Sequence, residues 1–549
     1  MRHECLIGAR IVCSVLAVSL LLGGCGSAPK TEEKPAAESA AGNTDDASLK
    51  IALNADIVSM DVHRTTNDYL VPMNVFDTLF EVVPKSDGST SIEKSLAEDY
   101  SVSDDGLAYS ITLRDGVVFS DGTPLTAEDV KFTFERILTL PDSQQVDYAI
   151  SIDGAEALMD GSANELTGIK VEDDTHLTIT LSEPFAGFLA QLATPSTSIL
   201  SKSIVEKAGD EFGTVPEKTL GTGPYVVTAW ERGSGLTFDY NPLYWGKEPS
   251  VKHVTARVMD ASSMDMAFQK GDLDILDCLM IDSAIVESTY KTKYKDNIVS
   301  TNRLGLNYLM FNEKIEPLGD VKVRKAIQLA IDRQSILDSI YSGDGKLEDG
   351  AYPSGCLGYS NDNQGWLKYD PDAAKKLLEE AGYADGFDME LALDSDAADA
   401  VKNIIQIISQ NLGDVGINAN IKNYDHASWL DLRNSGNMEA FLAMWILDYN
   451  DPDNIIYTFF GSKENTVIRS NNYADDATIA RIAAARGIVD QGERMAEYAA
   501  LEKKLIQDDA VWVPMFSLKH LFVKSDRVEE FIPQWAGWSD IYFKGVTLK

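Results

Sequence analysis

Between Ala443 and Asp453 the chain gathers the residue types best suited to holding a charged ligand. An apolar run, Ala443-Met444-Trp445-Ile446-Leu447, delivers Asp448 next to Tyr449 and Asn450 and stops at Asp451-Pro452. A strand that leaves a core and ends in an acid and aromatics suits the floor of a ligand cleft. The same residues equally suit a strand followed by a helix over 453–460 with an acid at its start. Asp448, Asp451 and Asp453 invite a calcium reading, but the segment lacks the glycine and distal glutamate of an EF-hand loop. Elsewhere the chemistry is sparse. There is no G-x-x-x-x-G-K-[ST], and Gly221-Thr222-Gly223 has no third glycine. No G-x-S-x-G, H-E-x-x-H or C-x-x-C occurs either. His63, His176, His253, His426 and His520 are isolated in sequence. Carboxylates are abundant, but abundance alone does not define a glycosidase pair. The sequence asks for no catalysis, no metal and no cofactor.

The elements that would position such a site begin well after the amino terminus. Arg2 and Arg10 flank a charged leader, and Ile11 to Leu22 is small and apolar apart from Ser14 and Ser19. That run falls short of the roughly 20 apolar residues a membrane span needs, and it fits a secretion signal over 1–24. Leu22-Gly23-Gly24-Cys25 resembles a bacterial lipobox, which makes Cys25 the expected lipidation site. The following stretch to residue 48 has Ala, Ser, Glu, Lys, Thr and Pro and no large apolar side chain. It reads as a flexible tether with an end-to-end distance on the order of 25 Å.

The chain carries 48 Lys+Arg against 86 Asp+Glu, a formal charge of −38, and loss of the leader makes it slightly more negative. So acidic a surface repels phosphate backbones and argues against nucleic acid. Beyond the leader and Cys25 only Cys278 and Cys356 remain; they are equally consistent with a disulfide and with two buried thiols.

The body reads as α/β with mixed sheets. Leu49 to Leu53 alternates as a strand. Tyr100 to Val102 and Leu107 to Leu113 flank Asp104-Asp105-Gly106 as a hairpin, and Ile169 to Val171 with Leu177 to Leu181 form a second pair. Thr126 predicts an N-cap, with acids in the first helical turn. Helices are expected over 264–270, 321–340 and 400–412, from Pro371 to Gly382, and as a pair within 477–507. Strands are expected at 272–276 and 417–421.

Longer stretches are more specific. Leu96-Ala97-Glu98-Asp99-Tyr100, Leu113-Arg114-Asp115-Gly116-Val117 and Phe119-Ser120-Asp121-Gly122-Thr123-Pro124 through Val130 resemble the signature of family 5 extracellular solute-binding proteins. These are the peptide- and nickel-type receptors of ABC importers. Gly221 to Tyr225, Asn241 to Trp245, Gly271 to Asp274, Phe311-Asn312, Val323 to Arg333, Tyr369 to Tyr383 and Trp445 to Pro452 continue the resemblance in order.

The resemblance implies a two-lobed, periplasmic-binding-protein-like type II fold with an inserted subdomain. One lobe would use residues 49–305, with the insertion near 86–219, and take back 520–549; the other would use 306–519. It also implies that Asp448 receives a peptide's α-ammonium group and that Trp445 lines a side-chain pocket. Tyr449 and Asn450 stand beside them; Asn307, Tyr308, Met60 and Asp61 are further candidates to reach the cleft. Arg303, Arg433 and Arg469 are candidates for the ligand's carboxylate by charge alone. The implied partners are a peptide, membrane permease subunits with cytoplasmic ATPases, and the lipid anchor, with the chain acting as a monomer. Relatives in the family also take nickel complexes, oligosaccharides or haem, and the Asp448-Tyr449 pair favours peptides. A lipid-tethered hydrolase is the remote alternative, with no nucleophile or metal motif behind it.

Overall fold

Every second side chain of the first strand can be buried on one face, and Ser48–Leu53 alternates half-buried and buried positions accordingly. A computed structural model of the protein describes residues 47–65, 68–84, 90–533, 536 and 540–549. The leader, Cys25 and the tether up to residue 46 lie outside these described residues. Ser48–Leu53 pairs in parallel with His253–Val258, which continues antiparallel through Gly235–Tyr240 to Tyr225–Glu231.

Both hairpins read from the sequence enter a second four-stranded sheet. Ala97–Val102 pairs with Ala108–Leu113, then His176–Thr180, then Ile169–Val171, all antiparallel. Gly106 closes the first turn at φ 71°, a conformation that a Cβ would strain. Thr126 and Asp129 form the capping box of helix Ala127–Thr139, which buries Val130, Phe134 and Ile137. One hydrophobic core joins both sheets to Phe543 and Val546 near the carboxyl terminus.

A larger, eight-stranded sheet has the order Ile275–Asp277, Trp512–Lys524, Gly305–Phe311, Ala440–Ile446, Phe387–Asp394, Ile417–Tyr424 along its main path. Phe387–Asp394 and Ile417–Tyr424 run parallel, connected by helix Asp399–Asp414, whereas Gly305–Phe311 is antiparallel to both neighbours. The two-residue period of Gly305–Phe311 feeds two cores. Leu309 and Phe311 pack with Ile327, Ile404 and Met515; Leu306, Tyr308 and Met310 pack with Phe459 and Trp512.

The long strand Trp512–Lys524 serves both halves of the molecule. Its first half pairs with Gly305–Phe311 and its second with Ile298–Asn302 and Ile275–Asp277. Where Ile298–Asn302 gives way to Gly305–Phe311, Arg303 N–H donates to Leu518 O at 3.0 Å. The two crossing segments are therefore adjacent.

The single helix expected over 321–340 is two helices, Val321–Ala330 and Arg333–Tyr341. Ile331 is extended, with ψ 119°, and Asp332 caps the second helix by accepting from Ser335 N–H. The apolar period hides the break because Val323, Ile327, Ile336 and Leu337 all enter one core. The helix expected at Met264 begins at Ala261, capped by Asp260, and the following strand is Ile275–Asp277. Cys278 and Cys356 are free and buried in separate cores.

Candidate functional site

Strand Ala440–Ile446 is buried at its start and opens towards its end, so it carries Trp445 and the following loop to the inner edge of the sheet. Leu447 N–H ties the loop back to Leu304 O at 2.8 Å. Asp448 then emerges, and its side chain is exposed. Helix Asp453–Phe460 begins within the same turn, with Asp453 as its first residue, as the helix-start reading of this segment expects.

Asn454, a residue the sequence gave no reason to select, organises the site. Its side-chain oxygen accepts from Asp448 N–H at 3.0 Å and from the Trp445 indole N–H at 3.1 Å. Its amide donates to Asp448 Oδ2 at 3.1 Å. Trp445 also packs edge-on against Phe459, with ring centroids 5.3 Å apart. Removing this hub leaves the acid and the indole free to turn. Asn454→Ala is expected to weaken ligand binding about tenfold, roughly 1.4 kcal/mol. Because Asn454 acts through Asp448, adding Asp448→Asn should bring much less than the product of the two single effects. Calorimetric titration of both single variants and the double variant checks this; full additivity would separate the two residues.

Residues from much earlier in the chain come close enough to Asp448 to feel its charge. Tyr148 ends the short turn Val146–Tyr148, and Tyr69 precedes helix Leu70–Val75. Both phenols are held above their usual pKa, first by burial and then, among other charges, by Asp448. Asp448 is itself raised above its usual value. The surrounding walls displace water and disfavour its charge, and Asp147 adds to this; the Asn454 amide and Arg469 oppose it. An acid open to solvent yet crowded by protein is what a cleft floor produces.

The structure scatters the other sequence candidates. Tyr449 is buried, gives its hydroxyl to Asp453 at 3.2 Å and packs on Phe185 with centroids 6.3 Å apart. Asn450 accepts from Leu357 N–H at 2.8 Å and donates to the Thr90 hydroxyl at 2.7 Å. Both tie this loop to segments early in the chain, through Phe185 and Thr90. Asn307 is buried and donates to Phe516 O at 3.3 Å. Met60 is fully buried, and Asp61 is taken by Arg136 through contacts of 3.0 and 2.6 Å. Asp451 and Asp453 are likewise committed, to Arg494 and Arg486. Tyr308 lies behind Trp445, stacked at 4.8 Å on Trp512; burial pushes its pKa up to about 12 against the pull of Arg469 and Arg433.

A separate cavity of about 760 Å³ lies on the first lobe, lined by Asp77, Glu81, Arg114, Trp245, Tyr542 and Lys544 among others. Its polar groups satisfy one another. Asp77 accepts from Thr222 and the Trp245 indole, both at 2.9 Å, and Lys544 pairs with Glu81 at 2.8 Å. Burial raises the Asp77 pKa there too, but Asp77 is buried and already bonded, whereas Asp448 is exposed.

A two-lobed fold with a strand shared between its halves is that of a protein that encloses a solute between its lobes. The chain belongs to the bacterial extracellular solute-binding proteins, family 5: the family model for their middle region matches residues 91–466. Members of this family are extracytoplasmic solute-binding proteins. The chain is similar to the dipeptide-binding protein of Escherichia coli, 30% identical over 390 residues covering 68% of this chain and 71% of the relative. It is also similar to heme-binding protein A of Haemophilus influenzae, 28% identical over 472 residues covering 83% and 84%. Among solved structures it resembles the periplasmic binding protein DppA of Helicobacter pylori in complex with the peptide STSA, at 28% identity and TM-score 0.70, covering 91% of this chain and 98% of the other.

Proposed function

We propose that this chain captures peptides outside the cell and delivers them to the membrane permease of an ABC importer. The observation that carries the reading is the placement of Asp448. A free peptide of any sequence presents an α-ammonium group, and an ammonium leaving water needs a fixed counter-charge. Asp448 supplies one at the foot of the cleft, next to the Trp445 ring and held by Asn454. The rest of a peptide can then be held through its backbone, leaving side chains in permissive pockets.

The strands that cross together at Arg303 and Leu518 supply a narrow connection about which lobes can close on a ligand. Residues 49–305 with 520–549 would form one lobe and 306–519 the other. Lipidation at Cys25 would hold the body near the membrane on its tether, where permease subunits can receive the ligand.

Mass spectrometry of the small molecules retained by gently purified residues 26–549 tests the ligand class. A ladder of peptide masses supports the proposal. Haem, a sugar or a nickel complex would overturn the peptide reading and the role of Asp448 in it, while keeping the transport role.

A further inference from the structure

The arginines that charge alone leaves unranked separate once the fold is in view. Arg303 sits at the chain crossing, where Asp277 and Tyr341 act on it. Arg433 and Arg469 come together beside the cleft. Ser470, next to Arg469 and held at φ 53°, donates its hydroxyl to Arg433 O at 2.7 Å. Arg433 is near the end of helix His426–Asn434; its guanidinium lies 5.5 Å from the Trp429 ring and, among the described residues, hydrogen-bonds only the adjacent Asn434 side chain, at 2.9 and 3.1 Å. The Arg469 guanidinium lies 4.9 Å from the Trp445 ring and 5.1 Å from Phe459, and its Nε is buried with no partner.

Several other arginines drawn into this protein find acids, although Arg303, whose Nε is also buried with no partner, enters no ion pair among the described residues. Arg136 holds Asp61, Arg333 holds Asp349, Arg486 holds Asp453 and Arg494 holds Asp451. In a chain with 86 acids to 48 bases, partners were abundant. Among the described residues, though, Arg433 and Arg469 enter no ion pair. Both act on the buried Tyr308, and Arg469 also feels Asp448 and Asp147 without reaching ion-pair distance. Two desolvated like charges left together cost stability unless something of opposite charge joins them.

We infer that Arg433 and Arg469 form a subsite for two carboxylates, so that the preferred ligand is a short peptide ending in Asp or Glu. This rests on the peptide reading above. Asp448 and Arg469 stand on either side of Trp445, Asp448 sharing Asn454 with its indole and the Arg469 guanidinium lying 4.9 Å from its ring. With the ammonium on Asp448, the terminal carboxylate meets Arg469 and the side-chain carboxylate meets Arg433. One carboxylate would neutralise one guanidinium and leave the other uncompensated; the second completes the pairing through charge-assisted bonds. Haem also carries two carboxylates, so the same chemistry has a second source.

Calorimetric titration of the mature chain with Ala-Glu, Ala-Gln, Ala-Asp and Ala-Asn, beside an absorbance titration with haem, tests this. The acidic peptides are expected to bind at least tenfold more tightly than their amides, and in Arg433→Gln that ratio should fall towards one. Equal affinity for acid and amide would overturn the double-carboxylate subsite while leaving the peptide reading intact. Absence of heat from all four peptides would overturn the short-peptide subsite, leaving the peptide reading to the retained-ligand masses, and a haem titration that saturates would then name the source.

Discussion

Asp448→Asn is expected to weaken peptide binding about thirtyfold or more. Truncating one partner of a buried charge pair costs about 2–5 kcal/mol, and each 1.4 kcal/mol is tenfold in affinity. The substitution keeps size and shape, and Asn454 can still hydrogen-bond an amide at that position, so the loss reports charge. A pH signature accompanies it. In the free protein the Asp448 carboxyl is raised above its usual 3.8, chiefly by the walls that exclude water. Only the ionised form pairs with an ammonium, so the bound state favours proton release. Affinity therefore falls as pH drops through that raised pKa, and the fall begins at a higher pH than an ordinary carboxylate would give. The Asn variant has no such group to titrate, and its affinity should lose that slope. Titration calorimetry across acidic to neutral pH reads both effects; unchanged affinity in the variant would remove Asp448 from the site.

What could be read in advance follows from how local each signal is. The hairpin at Asp105-Gly106 depends on alternation and a turn that needs positive φ, both written within a dozen residues. The break at Ile331-Asp332 is also local, yet the apolar stripe runs across it because both helices bury the same side, and periodicity outweighed a single capping acid. Asp448 and Trp445 could be proposed together because one short segment carries them. Their neighbours Tyr449 and Asn450 looked equally eligible, but the chain turns immediately after the strand, and adjacency says nothing about which way successive side chains point. Tyr449 ends on Phe185 and Asn450 on Thr90. Asn454 reads as an ordinary helical residue until the loop before it is folded back. Arg433 lies in one helix and Arg469 follows another, and the fold brings them together around Tyr308 and Ser470; Asp147 and Tyr148 arrive from far earlier in the chain. Such groupings are properties of the tertiary structure, and no spacing in the sequence encodes them.

The acids just past Asp448 lead to the second large effect, one on stability. Asp451 and Arg494 are almost wholly buried, with side-chain exposures of 3% each. Arg494 Nη1 donates to Asp451 Oδ2 at 2.7 Å, and its other terminal nitrogen meets Oδ1. Asp451 also caps the turn by accepting from Asp453 N–H at 2.9 Å. It packs against Gly187, where an added Cβ would come within 3.4 Å of the carboxyl carbon. The pair thus locks the start of helix Asp453–Phe460 beneath the loop that presents Asp448. Its net contribution relative to a well-packed apolar pair can be small, because both charges lose water. Breaking it from one side is different: Arg494→Met leaves a buried carboxylate with one backbone donor and no counter-charge, and should lower unfolding free energy by about 3–5 kcal/mol. In Asp451→Asn/Arg494→Met the uncompensated charge is gone, and much of the loss should return. Urea unfolding of the two variants measures the difference. If the single variant lies within 1 kcal/mol of the native chain, water must reach Asp451, and the loop carrying Asp448 is held by Asn454 without the pair beneath it.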